Sequence, residues 1–198
     1  MIKKTTGFTL IELMVTIAVL AIIAGIGIPS MSNFIDNNRM NSAKDRLAAA
    51  ISLARSNAIT NNTKTIICGL KTANASECSD TGEWRFGWMV FSDENNNDQY
   101  DKGTDKDDGE LLVRVDRLSD NSIQYAIHQE AAAKTVKAFY YRPNGLAGAK
   151  IGSDKALLAK PLTISICKSG FKTALSLGMI GSAMTKKDQA KDCVEEKK

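Results

Sequence analysis

Histidine occurs once in the 198 residues, at position 128, and proline only three times. A Ser/His/Asp triad or a two-histidine metal site would have to be built on that single imidazole, and no nucleophile motif accompanies it. G-x-S-x-G, P-loop, G-x-G-x-x-G and H-E-x-x-H patterns are all missing, so the sequence gives no support to hydrolytic, nucleotide-driven or dinucleotide-dependent catalysis. His128 reads as a surface or turn residue, no enzyme activity is expected, and no cofactor is required. C-x-x-C is missing as well, which argues against a zinc site or a thioredoxin-type motif. Charge of one sign is also scarce: 26 basic against 22 acidic residues leave +4, a weak sign of a nucleic-acid partner. No internal repeat or low-complexity tract is visible. At 43 % hydrophobic and 24 % charged residues, the composition is that of an ordinary globular chain, long enough for one domain plus an appendage.

The appendage is at the start. After Met1-Ile2-Lys3-Lys4-Thr5-Thr6-Gly7, the run from Phe8 to Ile28 carries a single formal charge, Glu12. As a helix rising about 1.5 Å per residue it would cover about 31 Å, the hydrocarbon thickness of a bilayer. Lys3 and Lys4 are expected to stay on the cytoplasmic side, which places everything after Ile28 across the membrane. An ordinary secretory signal has a shorter apolar region, no carboxylate and a small-x-small cleavage site. Placing an unpaired carboxylate in hydrocarbon costs about 2.5 to 3.5 kcal/mol on insertion scales, so Glu12 needs a cation at its own depth. A cut after Gly7 would create one, the new α-amino group of Phe8.

The stretch Lys3-Lys4-Thr5-Thr6-Gly7-Phe8-Thr9-Leu10-Ile11-Glu12-Leu13 resembles the cleavage and methylation signature of type IV pilins and type II secretion pseudopilins. The resemblance implies leader cleavage by a prepilin peptidase after Gly7, N-methylation of Phe8, and pairing of Glu12 with an N-terminal amine during assembly. Pro29 stands where such helices commonly carry a proline. With Gly25 and Gly27 it marks a weak point in the helix ladder, the site of an expected kink or of partial melting on assembly.

Beyond Pro29, Met40, Ala43, Leu47, Ile51, Ala54 and Ala58 recur at spacings of three and four, with Arg39, Lys44, Asp45, Arg46 and Arg55 between them. This is an amphipathic helix, expected to end near Asn61-Asn62. Seven runs rich in β-branched and aromatic residues follow: 65–68, 84–91, 111–115, 123–127, 136–141, 162–167 and 174–177. Gly, Asn, Asp and Pro clusters separate them, as expected for antiparallel strands. Trp84 and Trp88, an even number of residues apart on one expected strand, would share a face and belong to the core. The four cysteines fall as two local pairs, Cys68 with Cys78 and Cys167 with Cys193; three connectivities are open, and the nearest-neighbour one is preferred in an oxidising compartment.

Between Asp93 and Glu110, eight acidic residues stand against Lys102 and Lys106, which reads as a solvated loop. Asp93, Asn95, Asn97 and Asp101 resemble the start of a calcium loop, but Asp98 holds the position where glycine is expected and Thr104 stands where a closing glutamate belongs. A solvated hairpin tip is the default. The order Phe86-Gly87-Trp88-Met89-Val90-Phe91-Ser92-Asp93-Glu94-Asn95, then Asp108-Gly109-Glu110-Leu111-Leu112, is similar to the central hairpin of the GspH, FimT and FimU group. With the late Cys167 this likeness extends over nearly the whole chain. Some FimT-like members bind DNA through a Gly-Arg-x-Arg stretch near the C-terminus; here the region reads Gly181-Ser182-Ala183-Met184-Thr185-Lys186-Lys187, without the arginines. Lys186, Lys187 and Lys191 could still make weak, salt-sensitive phosphate contacts.

The expected fold is therefore α+β and type IV pilin-like, a long N-terminal helix packed on an antiparallel β-sheet domain. It divides into a leader (1–7), a transmembrane half-helix (8–28), an amphipathic periplasmic half-helix (29–62) and a globular β-rich domain (63–198). The resemblance implies a minor pilin that helps initiate a type IV pilus and sits near its tip. The alternatives are a GspH-type pseudopilin of type II secretion and a FimT-like DNA-binding pilin. Implied partners are other minor pilins, the major pilin, the prepilin peptidase, an inner-membrane assembly platform and lipid. Implied locations are the inner membrane, with a periplasmic C-terminal domain, and then a pilus or pseudopilus filament at the cell surface.

Overall fold

The computed structural model describes residues 7–103, 110–120, 122–129, 136–151, 154–168 and 170–186. The chain divides into two compact units, Met1–Asn38 and Arg39–Lys198. Helix α1 (Leu10–Thr60) contributes its first part to one and its remainder to the other.

In the first unit the helix is apolar, with a mean hydropathy of 2.5 over its most apolar 18 residues, and it is long enough to cross a membrane. Leu10, Ile11, Leu13, Met14, Ile17, Leu20 and Ile22 are exposed on it, so no burial among the described residues accounts for their hydrophobicity. The helix is unbroken through Gly25, Gly27 and Pro29. Pro29 has no N–H to give the carbonyl four residues back, that of Gly25, so the ladder lacks one bond there.

In the second unit the helix stripe expected from the spacing is the buried face: Met40, Ala43, Leu47, Ala50, Ile51, Ala54 and Ala58 are all nearly inaccessible. The helix ends with Asn62 in the left-handed region (φ 53°). The Thr63 N–H there donates to the Ala58 carbonyl at 3.2 Å, a left-handed cap that satisfies a carbonyl left over at the helix end. Asn57 then ties the helix to the sheet, its amide donating to Thr65 Oγ1 and Ser92 Oγ, both at 2.9 Å.

Among the described residues two antiparallel sheets follow. The strands are β1 (Lys64–Gly69), β2 (Gly87–Asp93), β3 (Leu112–Arg117), β4 (Gln124–Gln129), β5 (Val136–Tyr141), β6 (Ala147–Ile151), β7 (Asp154–Leu157), β8 (Leu162–Lys168), β9 (Phe171–Leu177) and β10 (Ala183–Lys186). They are ordered β3-β2-β1-β5-β6-β7 and β10-β9-β8-β4. The main core gathers the helix stripe with Ile67, Trp88, Val90, Phe139 and Tyr141 of the first sheet and Ile127, Leu162, Ile164, Ile166 and Leu175 of the second. The other face of the first sheet carries a smaller core of Ile66, Cys68, Leu70, Met89, Phe91, Ala138 and Tyr140, with Phe86 and Tyr100 packed against it. Strand β2 is buried at every position because both faces are covered.

Three features differ from the sequence expectation. Strand β2 begins at Gly87, not Trp84: the Gly87 N–H turns back to the Trp84 carbonyl at 3.1 Å, and Gly87 has φ +111° with no room for a Cβ against the Asp116 carbonyl. Trp84 is nevertheless in the main core, its ring stacked on Phe139 at 5.4 Å. Strands β6, β7 and β10 (AGAKI, DKAL, AMTK) are poor in β-branched and aromatic residues, so propensity gave no signal for them. The acidic stretch, finally, is not simply solvated, since Asp93, Asp98 and Glu110 are buried.

Candidate functional site

Helix α1 starts at Leu10, leaving Gly7, Phe8 and Thr9 ahead of it, and Phe8 is 87 % exposed. Thr9 and Glu12 form a reciprocal cap. The Glu12 N–H donates to Thr9 Oγ1 at 3.3 Å, while Glu12 Oε2 accepts from the Thr9 N–H at 3.4 Å and from its hydroxyl at 3.3 Å. Threonine three residues before glutamate is the capping-box signature, and it satisfies N–H groups that a helix start leaves open. The part played by Thr9 was legible in the sequence as T-x-x-E and was not read there. Among the described residues Glu12 meets no cation. Gly7, Phe8 and Glu12 thus lie within five residues of each other in sequence at the head of an apolar helix.

Cys68 and Cys78 form a disulfide with Cα atoms 5.5 Å apart. It closes a hairpin-like loop whose backbone is bonded from Ser79 N–H to the Gly69 carbonyl (2.7 Å) and from Lys71 N–H to the Glu77 carbonyl (3.1 Å). Cys167 is also disulfide-bonded. Cys193 lies outside the described residues, as do Lys187, Lys191, Thr104, Asp105, Asp107 and Asp108.

At the hairpin tip, the residues proposed for calcium are engaged within the protein. Asp93 Oδ2 accepts from Lys64 Nζ at 2.7 Å, and Asp101 Oδ2 accepts from the Asn95 and Asn97 amides at 2.7 and 2.6 Å. Asp98, buried over the sheet, is held by Lys64 and Lys155, with Lys150 at 3.7 Å. Burial alone would raise its pKa, but the Lys155 and Lys64 ammoniums overcome this and hold the carboxyl below its ordinary range. Lys64 responds in kind: burial works against its charge, yet Asp93 and Asp98 raise its pKa. Glu110 shifts the opposite way. Burial pushes its pKa up even though its oxygens accept the Asp101 and Glu94 N–H groups, both at 3.1 Å. Among the described residues no three His, Cys, Asp or Glu side chains are grouped to hold a metal ion.

Lys186 closes β10, paired with Ala174 of β9. His128 sits in β4 opposite Thr163.

A helix that is apolar in its first part and packed against antiparallel sheets in its remainder, opening on this N-terminal signature, defines a type IV pilin-like subunit. The family described as Type II transport protein GspH matches residues 43–181, and the prokaryotic N-terminal methylation motif matches residues 2–28. The chain belongs to the GspH family of type IV pilin-like proteins. Two crystal structures of the type IV minor pilin FimU from Pseudomonas aeruginosa (strain PAO1) are similar to it. One, in space group P21, is 18 % identical over 77 % of this chain and 92 % of that chain, with a TM-score of 0.48. The other, in P65, is 17 % identical over 74 % and 91 %, with a TM-score of 0.45. No curated protein matches the sequence significantly.

Proposed function

We propose that this chain is a minor type IV pilin that helps initiate the pilus and is built in near its tip. The observation that supports this reading is the lone carboxylate of an exposed apolar helix. Glu12 meets only Thr9 among the described residues, and in hydrocarbon that leaves its charge uncompensated. Cleavage after Gly7 frees the Phe8 amine, and N-methylation keeps it cationic. Glu12 then pairs with such an amine on an adjoining subunit, which recruits the chain into the filament. The partners are other minor pilins and the major pilin, with the prepilin peptidase and the inner-membrane platform acting before assembly. Residues 8–28 span the membrane until then.

A second reading, a pseudopilin of type II secretion, is favoured by the description of the matching family itself. Deletion of the gene separates the two. Loss of surface pili and twitching motility with normal exoprotein release supports the minor pilin; loss of exoprotein release with twitching intact supports the pseudopilin and overturns the first reading.

A further inference from the structure

We infer that an arginine patch on the Arg39–Lys198 unit docks a carboxylate-bearing surface of an adjoining filament subunit. This rests on the filament reading above and goes beyond the pairing at Glu12, since it concerns a different surface.

Two aspartates anchor the patch. Asp116, buried, accepts from Trp88 Nε1 at 3.1 Å, Arg114 Nε at 2.5 Å and Arg46 Nη2 at 3.2 Å. Asp120, four residues on, is held by Lys168 and lies 3.5 Å from Arg39 Nη1. Arg46 Nη2 donates in addition to the Arg117 carbonyl (3.2 Å), and Arg117 Nε to the Ala73 carbonyl (3.1 Å). Arg46, Arg114 and Arg117 are thus each held by hydrogen bonds, and Arg39 by its ion pair with Asp120, while all four side chains stay at least partly open to solvent. Arg39 is 60 % exposed, Arg46 43 % and Arg114 37 %, and Arg117 is exposed too. Among the described residues, Arg39, Arg46, Arg114, Arg117 and Lys168 gather here around Asp116 and Asp120. Asp45, beside Arg46 on the helix, lies 3.3 Å from Lys44, which offsets it.

Guanidinium forks with one edge pinned have lost much of their rotamer freedom already, so they match a partner carboxylate at low entropic cost. The two helix arginines are seven residues apart, about 10 Å along the axis. That span suits a short acidic segment. Subunits of a helical filament meet through heterologous contacts, in which one patch joins a different patch on the next copy. An unneutralised basic surface on helix α1, the helix that also carries Glu12, suits one side of such a contact.

The test uses the full-length chain in its own cells, with a photo-reactive residue replacing Ser42, which lies between Arg39 and Arg46 on the same helical face. Cross-linked peptides from sheared filaments are mapped by mass spectrometry. The expected product joins position 42 to an Asp- or Glu-containing segment of another filament subunit. Its yield is expected to fall about fivefold or more in Arg39→Glu/Arg46→Glu and to recover when the mapped carboxylates are changed to lysine. Should that variant fail to fold, the unaltered arginines are tested by salt instead, where cross-linking at position 42 is expected to weaken as ionic strength rises. Cross-links indifferent to both charge reversal and salt, or made to nucleic acid, overturn the docking surface while leaving the filament reading in place. Absence of the otherwise unmodified chain from filaments overturns both.

Discussion

Asp98, Asp116 and Asp120 are all held below the ordinary carboxylate range by cations packed beside them. For Asp98 and Asp116 burial acts against the charge, and Lys155 with Lys64 in one case and Arg114 with Arg46 in the other prevail over it. Asp120 is lowered to about 2, first by Lys168 and then by the Ser122 hydroxyl, which donates at 2.5 Å. A carboxylate with a depressed native pKa stabilises the fold fully above its unfolded value and loses that contribution as pH falls through the native one. The urea midpoint of the Arg39–Lys198 unit is therefore expected to decline between pH 4 and pH 2, the interval separating the ordinary value of 3.8 from about 2. Asp120→Asn should flatten part of that decline. Glu110 contributes with the opposite sign, because its native pKa is raised, and acidification through that pKa relieves rather than breaks its site. A midpoint flat to pH 2 in the unmodified unit contradicts these assignments. Little of this was legible in the sequence, where 93–110 read as a solvated loop. The lysines that hold Asp98 lie 34 to 57 residues away, and Arg46 meets Asp116 across 70. Glu12, by contrast, was singled out from its neighbours alone, since one charge in an apolar run is a local anomaly.

At the scale of elements, the helix was the most legible part of the chain. A spacing of three and four selects one face whatever lies opposite, and the six positions picked from the pattern are all buried. Leu47 is fully buried between the helix and the sheets, so Leu47→Ala should cost about 2 to 5 kcal/mol, read as a lower urea midpoint with an unchanged slope. Strands β6, β7 and β10 were missed for a physical reason. Their residues are chosen by contact, not by propensity: Gly148 of β6 lies under the Tyr140 ring, where an added Cβ would come within 2.2 Å of Cζ. Gly148→Val is accordingly expected to unseat Tyr140 and destabilise the sheet, whereas the same change at Gly178, with open space around it, should be far milder. Thermal melts of the two variants compare them directly. The Cys68–Cys78 bond was readable as a nearest-neighbour pair, and it closes a loop that few core side chains support. Replacing both cysteines by alanine should cost about 2 to 4 kcal/mol, measured against the parent under non-reducing conditions.

At the scale of the whole molecule, the two units serve different surroundings. The second unit buries an ordinary core against two sheets, and the apolar part of the helix in the first unit is exposed among the described residues. An exposed apolar helix of this length suits surroundings in which lipid or other helices cover it, as the proposed membrane anchoring and filament packing would provide. The long helix with its apolar start and the β-rich remainder could be read from composition and spacing. The two-sheet arrangement could not, because alternation along a strand says which face is buried but not which sheet the strand joins.

The most direct measurement is mass spectrometry of the chain recovered from sheared filaments, made in parallel for the unaltered protein and for Glu12→Ala. The unaltered chain is expected to begin at an N-methylated Phe8 and to be present in filaments, and Glu12→Ala to be cleaved at the same bond yet lost from filaments by about tenfold or more. Recovery of chains that still begin at Met1, in cells with an active prepilin peptidase, or filaments equally rich in Glu12→Ala, would contradict this expectation.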